Sequence, residues 1–287
     1  MIEFRGATED DLESLYEVFV QAEGEVWQRQ GLDWSPLPVE VFAAVHRHLL
    51  EHDGNRAFVA LDGGAIVAYT AAMAREDTWY FASLFVLPNY QGQRLGQQLL
   101  ERAWTGSFTC RITITDSHQP ASNGLYARRG LIPTTPILKL TGTGACEKPE
   151  DLDASAADGE AMVAIDRAAY GFDRRPDHQF WQEQKGQPRL WRRSGQPVGY
   201  TYTDPLGLIG PLAALTAVDA AEVLRAELAR RNDQQTTVVV PGTARELVSA
   251  GLAAGLRFTG LPDLLLLSDG CPVPTAIALS ASAPFLY

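Results

Sequence analysis

The segment from Ser83 to Trp104, SLFVLPNYQGQRLGQQLLERAW, constrains the fold more than any other part of the chain. Its apolar start is predicted to be a strand that ends at Pro88, because proline cannot continue a central ladder. A polar loop containing Gly92 and Gly96 follows, and apolar residues then recur at helical spacing from Leu95 onward. Backbone N–H groups and the helix dipole converge at such a junction, so the segment predicts an anion site at a helix N-terminus.

Strand and helix patterns alternate around this segment. A short extended piece and two helix patterns come first, and the second of two following strands begins after the turn at residues 62–64. A third strand leads into the glycine loop. After the helix of that loop come a strand (SFTCRITIT), a short helix (SNGLYARRG) and a closing strand (TTPILKLTG). The order βααβββαβαβ predicts an α/β fold with a mixed, partly parallel sheet flanked by helices.

This order of strands and helices is predicted to occur twice along the chain. We take residues 1–145 as a first domain, 146–160 as a linker rich in Gly, Asp and Ala, and 161–287 as a divergent copy. At the position of the glycine loop the copy reads TAVDAAEV, which has no glycine and places Asp219 where an anion would sit. One anion site is therefore expected, in the first domain. The C-terminal APFLY segment could dock back onto the protein.

Charge and hydropathy bear on partners and location. The 287-residue chain has a net charge of −11, which disfavours nucleic acid and suits a small-molecule amine or a basic peptide. The longest strongly apolar stretch, Leu264–Leu267, is far shorter than the ~20 residues of a membrane span, and the N-terminus lacks a signal-peptide pattern. We therefore expect a cytoplasmic protein. The expected oligomeric state is a monomer or a homodimer. The three cysteines include no C-x-x-C pair, so no metal site is expected.

The glycine loop resembles the acetyl-CoA signature of the GNAT superfamily, (Arg/Gln)-x-x-Gly-x-(Gly/Ala), which cradles the CoA pyrophosphate. Gln91 and Gly96 match the first and last positions, whereas Arg94 replaces the middle glycine. Because Arg94 has a Cβ, we expect it to keep a negative φ. Its guanidinium could add a cation beside the phosphates, or it could be an ordinary surface charge.

A second segment, SNGLYARRGLIP, is similar to the Asn-x-x-Leu-Tyr-x-x-x-Gly-Phe segment of the same family. Leu125, Tyr126 and Gly130 fit that pattern, Asn123 stands one position nearer the tyrosine than the Asn of the pattern, and Leu131 replaces the final aromatic residue. The resemblance implies that Asn123 contacts the pantetheine arm and that Tyr126 protonates the departing CoA thiolate. A phenol has an ordinary pKa near 10, so at neutral pH it carries the proton that this role requires.

Together the two motifs imply a tandem-GNAT N-acetyltransferase, and the resemblance covers about residues 3–145. Acetyl-CoA would be the acyl donor, no metal would take part, and an amine would attack the thioester directly. The implied cofactor-binding residues lie at the end of the strand, in the loop and on the later helix: Leu84, Phe85, Val86, Gln91, Gly92, Gln93, Arg94, Leu95, Gly96, Gln97 and Asn123.

The sequence identifies the general base and the residues of the acceptor pocket less closely than it identifies the cofactor loop. Glu23, Glu25, Asp77 and His118 could each take the proton of an attacking ammonium, with Glu25 and His118 as the selected catalytic candidates. Glu23, Trp27 and Trp34 follow or end the first helix pattern and are predicted to bind the acceptor, the tryptophans by cation–π contact. Each of these residues could equally be an ordinary surface or core residue.

Two other functions stay open at this point. The chain could be an acyl-CoA sensor or scaffold without turnover. It could also transfer a longer acyl group or modify a protein lysine. The sequence does not identify the acceptor or show whether the second half contributes to catalysis.

Overall fold

The computed structural model describes residues 1–280, so residues 281–287, with the APFLY segment, lie outside the described part of the chain. The chain divides into two units, of which the first is Met1–Arg111 and the second begins at Ile112. This division falls inside a strand, whereas the sequence places its linker at 146–160. The domain limits drawn from the sequence remain predictions.

The first unit contains an antiparallel sheet in the order β1-β2-β3-β4, with helices that cover it. Phe19 and Phe42 are almost fully buried, and their rings stack 5.2 Å apart where the first two helices meet the sheet. The elements are β1 Ile2–Gly6, α1 Leu12–Arg29, α2 Val39–Asp53, β2 Phe58–Asp62, β3 Ala65–Arg75, β4 Thr78–Val86 and α3 Leu95–Ala103.

A β-bulge interrupts β4 near its end. The pairing with β3 shifts between the partners Ala71–Ser83 and Ala72–Phe81, which leaves Ala82 as the extra residue. A bulge bends its strand and increases the local twist. The end of β4, at 83–86, is therefore redirected just before the glycine loop.

The second unit holds the remaining elements in one sheet order, β5-β13-β6-β11-β10-β9-β8-β7. Strands β10 and β11 are parallel and are joined through α7, and every residue of β10 is buried. The elements are β5 Cys110–Asp116, which starts in the first unit, α4 Pro120–Ala127, β6 Ile132–Thr143, β7 Leu152–Ser155, α5 Gly159–Ala169, α6 Arg175–Lys185, β8 Arg189–Arg193, β9 Gln196–Thr203, β10 Leu208–Ala214, α7 Ala217–Arg230, β11 Gln235–Pro241, α8 Arg245–Ala253, β12 Arg257–Phe258, β13 Asp263–Leu267 and β14 Ile277–Ala278.

Strands from the two sequence halves alternate within this sheet. β13, from near the C-terminus, lies between β5 and β6 and is antiparallel to both. β6, predicted to close the first half, also pairs antiparallel with β11 of the second half, from Gln235↔Thr143 to Pro241↔Ile137. Each half therefore supplies a strand that lies beside strands of the other half.

The element order confirms the predicted fold class and its repetition. From β1 to β6 the order is βααβββαβαβ, and from β7 onward the same order recurs up to the strands that follow α8. Four elements were not predicted, among them the two-residue strands β12 and β14. The polar helix α6 has few apolar residues, and β7 lies within the predicted linker, where Leu152–Ser155 pairs with β8.

Candidate functional site

The glycine loop is an open turn between β4 and α3. A short 3₁₀ turn, Pro88–Tyr90, ends the strand segment, and residues 91–94 are exposed. Gly92 has a φ of 78°, and a Cβ added there would meet no atom within 4 Å. Backbone of this kind leaves room for a bulky anion to approach.

The expectation of a negative φ at Arg94 is wrong. Arg94 is left-handed, with φ 61° and ψ 16°, and forms the N-cap of α3. A non-glycine residue in this region costs about 1 kcal/mol. The arginine therefore adopts a conformation that glycine would take with less strain, and its exposed side chain adds a positive charge beside the loop.

Helix α3 begins with donors that it does not satisfy itself. Its first hydrogen bond joins the Gln98 amide to the Arg94 carbonyl at 3.1 Å. The amides of Leu95, Gly96 and Gln97 precede that bond and have no acceptor inside the helix. The Arg94 side chain makes no cap hydrogen bond. The positive end of the dipole and these amides together favour an anion here.

The glutamines of this segment are engaged with their own surroundings. Gln91 donates to the Val86 carbonyl at 3.1 Å, and Gln93 donates to the Asn89 carbonyl at 3.2 Å. Gln97 donates to Glu101 one turn along α3 at 3.0 Å. These bonds tie the predicted loop to the end of β4 and to the helix.

The end of β4 holds the three residues predicted to pair with the pantetheine amides. Leu84, Phe85 and Val86 are half-buried and face Thr70, Tyr69 and Ala68 of β3 in the ladder. They follow directly after the bulge.

The acceptor-binding candidates of the first unit cluster on α1 and the loop after it. Trp27 donates its indole N–H to the Glu23 carboxylate at 2.7 Å, one turn earlier on α1. Trp34 packs edge-on against Phe19 at 5.7 Å, and its ring lies close to Gly24. All three predicted residues are half-buried.

Two of the proposed bases are engaged in other interactions in the first unit. Glu25 forms an i,i+4 ion pair with Arg29. Asp77 accepts hydrogen bonds from the amide and hydroxyl of Thr109, and these bonds lower the pKa of its carboxyl. Both carboxylates are thus held by neighbours, as Glu23 is held by Trp27.

Helix α4 of the second unit carries the second motif. Asn123 donates through Nδ2 to the carbonyls of Asp116 and Gln119, at 3.1 and 2.9 Å. Its Oδ1 is buried, and no atom in the described residues donates to it. A buried, unpartnered carbonyl oxygen of this kind suits the amide N–H of a pantetheine arm.

Tyr126 lies one turn further along α4 and is 5% exposed. Burial raises the pKa of its phenol, and the nearby negative charge of Asp116 raises it further. The hydroxyl therefore stays protonated at neutral pH, as the predicted general acid requires. His118 is half-buried in the turn that joins β5 to α4.

The sequence reading missed a pair of carboxyl groups at the end of β5. Asp263, the first residue of β13, lies directly opposite Asp116 in the ladder. Burial and the charge of Asp116 raise the pKa of Asp263 to about 7. No signal in the sequence links these two positions, because they become neighbours only through the strand exchange.

The corresponding helix of the second half, α7, is closed at its start. Thr216 is its N-cap and accepts a hydrogen bond from the Asp219 amide at 3.1 Å. Asp219 is 8% exposed, accepts from the Thr216 hydroxyl at 2.6 Å and pairs with Arg193. The acidic residue predicted at this helix start is thus held by a cap and a cation.

No group of three or more potential metal ligands occurs in residues 1–280, and no helix there is long and apolar enough to cross a membrane.

Known proteins resemble the chain chiefly in structure. Residues 53–130 match the family model "Acetyltransferase (GNAT) domain", whereas among curated proteins none matches the sequence. A candidate acetyltransferase from Pyrococcus horikoshii superimposes with a TM-score of 0.76 at 16% identity, covering 98% of this chain and 95% of its own.

Two further solved structures have the same fold. A GCN5-related N-acetyltransferase from Sphaerobacter thermophilus gives a TM-score of 0.62 at 16% identity, with 94% of this chain and 96% of its own covered. A tandem GNAT protein from the clavulanic acid biosynthesis pathway gives 0.55 at 13% identity, with 95% and 100% covered. Residues 53–130 therefore match a GNAT acetyltransferase domain, and over nearly its whole length the chain has the fold of these GNAT proteins, one of them a tandem GNAT protein.

Proposed function

We propose that the chain is an acetyl-CoA-dependent N-acetyltransferase with one active site, in the first half, that acetylates an amine by direct attack. The open start of α3 is the observation that carries this proposal. Three free amides, Gly92 at positive φ and the Arg94 cation offer a diphosphate both donors and charge.

The remaining donor contacts come from β4 and α4. The main chain of Leu84, Phe85 and Val86 would pair with the pantetheine amides, as it does in the family that the motif resembles. The unpartnered Asn123 Oδ1 would accept one further N–H of that arm. Bound acetyl-CoA supplies an acetyl thioester, and the residues of the chain orient it and move the protons.

Tyr126 is the proposed general acid for the CoA thiolate, because its phenol is buried and its raised pKa keeps it protonated. Among the candidate bases we favour Glu23. Its carboxylate is half-buried in the aromatic cluster of the first unit, whereas Glu25 is ion-paired with Arg29. His118 and Glu25 stay candidates for a base that acts through water.

The second half is proposed to lack a cofactor site. Its helix α7 satisfies its own first turn with Thr216, and Asp219 would repel a phosphate there. Its proposed role is structural, through the strands that it places beside β5 and β6.

Calorimetric titration with acetyl-CoA, followed by turnover of an amine panel, tests the proposal. We expect the wild-type protein to bind acetyl-CoA with micromolar affinity and to release CoA in the presence of an accepted amine. Tyr126→Phe should bind acetyl-CoA within about twofold of wild type, while kcat falls about a hundredfold, the size typical for loss of a general acid.

Tyr202→Phe is the matched control, since it removes a buried tyrosine hydroxyl that contacts His178 at 3.0 Å in the second half. Its kcat should equal that of wild type. Failure of the folded protein to bind acetyl-CoA would refute the proposal. Binding without turnover of any amine would favour the sensor.

A further inference from the structure

A buried histidine fixes the direction of the hydrogen bonds beneath the end of β4. His46, on α2, is 2% exposed, and burial lowers its pKa to about 4, so the ring is neutral at physiological pH. Its Nδ1 lies 2.9 Å from the Phe42 carbonyl, which can only accept, so Nδ1 carries the proton. Nε2 is then an acceptor, 3.2 Å from Ser83 Oγ.

The Ser83 hydroxyl therefore donates its one hydrogen to His46. A hydroxyl has a single hydrogen and two lone pairs, so Ser83 Oγ can offer only a lone pair to any other neighbour. That neighbour is the Tyr69 hydroxyl, which lies beside Ser83. Because Ser83 Oγ can only accept from it, any hydrogen bond between the two hydroxyls directs the Tyr69 O–H towards Ser83 and turns the phenol lone pairs the other way.

Tyr69 is a buried tyrosine whose hydroxyl lacks a well-formed hydrogen bond. It is 1% exposed, and no atom within residues 1–280 stands in good hydrogen-bond geometry to its oxygen. Burying a hydroxyl whose lone pairs have no donor is costly, which makes such a group a candidate for ligand contact. Tyr69 lies on β3, directly opposite Phe85 at the end of β4.

The Glu23 carboxylate of α1 accepts the Trp27 indole N–H at 2.7 Å, and its negative charge also acts on the Tyr69 phenol. Together with burial, that charge raises the pKa of Tyr69 well above its ordinary value, so the phenol stays neutral. No hydrogen bond joins the two groups. A carboxylate and a phenol lone pair are both acceptors, and a group that bridges them must bring at least two hydrogens.

Aromatic rings surround this pair of acceptors. Tyr69 packs against Phe85 at 5.5 Å, Phe85 against Phe19 at 5.2 Å, and Phe19 against Trp34 at 5.7 Å. These walls suit an apolar carbon skeleton and favour a cation near ring faces. A protonated primary amine brings both the hydrogens and the charge.

We propose that Tyr69 binds the acceptor nitrogen, and that the acceptors are protonated primary alkylamines with an apolar skeleton, bridged between Glu23 and Tyr69. This inference rests on the proposed function and names its substrate class. One N–H of the ammonium bonds the Tyr69 oxygen, and another bonds Glu23.

The proton balance follows from this placement. Glu23 takes one proton from the ammonium, which frees the nitrogen lone pair to form the C–N bond with the acetyl carbonyl carbon. The C–S bond breaks, and the thiolate takes the proton of Tyr126. The nitrogen loses a second proton, which restores Tyr126 through solvent, while the proton on Glu23 is released to water.

Tyr69→Phe tests the assignment with 2-phenylethylamine and n-hexylamine as protonated probes and aniline as a neutral probe. Wild type should acetylate both alkylamines and discriminate against aniline. In Tyr69→Phe the alkylamine KM should rise about tenfold, while the acetyl-CoA Kd stays within twofold of wild type. The urea midpoint should stay equal or rise, because the hydroxyl that is removed has no well-formed hydrogen bond.

Tyr200→Phe is the matched control. Its hydroxyl donates to Asp166 at 2.6 Å, so the variant should lower the urea midpoint and leave the alkylamine KM unchanged. The inference is overturned if Tyr69→Phe leaves the KM unchanged or lowers stability as Tyr200→Phe does. It is also overturned if aniline is preferred, or if wild type binds acetyl-CoA but acetylates neither alkylamine. Loss of acetyl-CoA binding by wild type would instead refute the proposed function itself.

Discussion

Helices α3 and α7 hold the same place in the repeated element order, each directly after the third strand of its meander. At the start of α7, Thr216 caps the helix and Asp219 pairs with Arg193. At the start of α3 there is no side-chain cap, and the N-cap is a left-handed arginine. One helix satisfies its first turn with its own side chains, whereas the other keeps that turn available.

The difference shows how a duplicated fold can keep its architecture and change its chemistry. Free amides at a helix start lower stability unless something binds them. A cap and an acidic residue in the first turn each contribute about 0.5–2 kcal/mol to a helix. The interactions that stabilise the start of α7 are absent from the start of α3, where the unsatisfied backbone amides are proposed to bind the cofactor.

The largest expected effect comes from making α3 resemble α7. Gln97 is the third residue of α3, as Asp219 is of α7. Gln97→Asp should weaken acetyl-CoA binding about a hundredfold, or ~2.7 kcal/mol, because a carboxylate would face the diphosphate. Calorimetric titration measures this change.

Gln97→Asn is the neutral control for that variant and should stay within about threefold of wild-type affinity. Equal acetyl-CoA binding by Gln97→Asp and Gln97→Asn would break the comparison, since the start of α3 would then not be the phosphate site.

A somewhat smaller effect is expected from opening α7. Asp219→Asn keeps the size of this largely buried side chain and removes the charge that pairs with Arg193. We expect the free energy of unfolding to fall by about 2 kcal/mol in urea titrations, because a partly buried ion pair loses one partner.

Glu222→Gln removes the more exposed partner of the same arginine and should cost about 0.5 kcal/mol or less. Neither variant should gain a second acetyl-CoA site, because α7 still has its Thr216 cap. A second binding event in Asp219→Asn would contradict the proposal that the closed helix start is only structural.

The smallest effect concerns the strain at Arg94. Arg94→Gly should raise the free energy of unfolding by about 1 kcal/mol, because glycine adopts a positive φ at lower cost. Acetyl-CoA affinity should fall only a few-fold and should depend less on salt, since one cation is lost.

Ser194→Gly is the control, at another left-handed position with φ 48° in a hairpin turn of the second half. It should bring a similar gain in stability and no change in acetyl-CoA affinity. If Arg94→Gly binds acetyl-CoA as tightly as wild type, the arginine has no role in the site.

Much of the fold followed from local patterns. The helix and strand order was readable because periodicity and turn residues report local geometry, and TAVDAAEV predicted an acidic start for α7. The left-handed Arg94 was not readable, because the Cβ argument gives only an average preference that the surrounding turn can override.

Features that depend on long-range contacts could not be predicted. β6 has the same alternating pattern whichever strand lies beside it, so its pairing with β11 is invisible in TTPILKLTG. Asp263 becomes a neighbour of Asp116 for the same reason. In the sequence, Tyr69 looks like any other core residue of an apolar strand. Only the direction of the hydrogen bonds through Ser83 shows which way the lone pairs of its phenol oxygen point.

Strands from the two sequence halves are neighbours in one sheet, and this limits where the chain can be cut into fragments. A fragment that ends at residue 145 would contain β6 without β11 or β13, and β5 without β13, so bare ladder edges would invite aggregation. The second half therefore cannot be removed without exposing these edges. Because Asp263–Leu267 pairs with β5 and β6 of the first half, substitutions in this strand should affect both halves of the chain. The two halves are therefore expected to fold together.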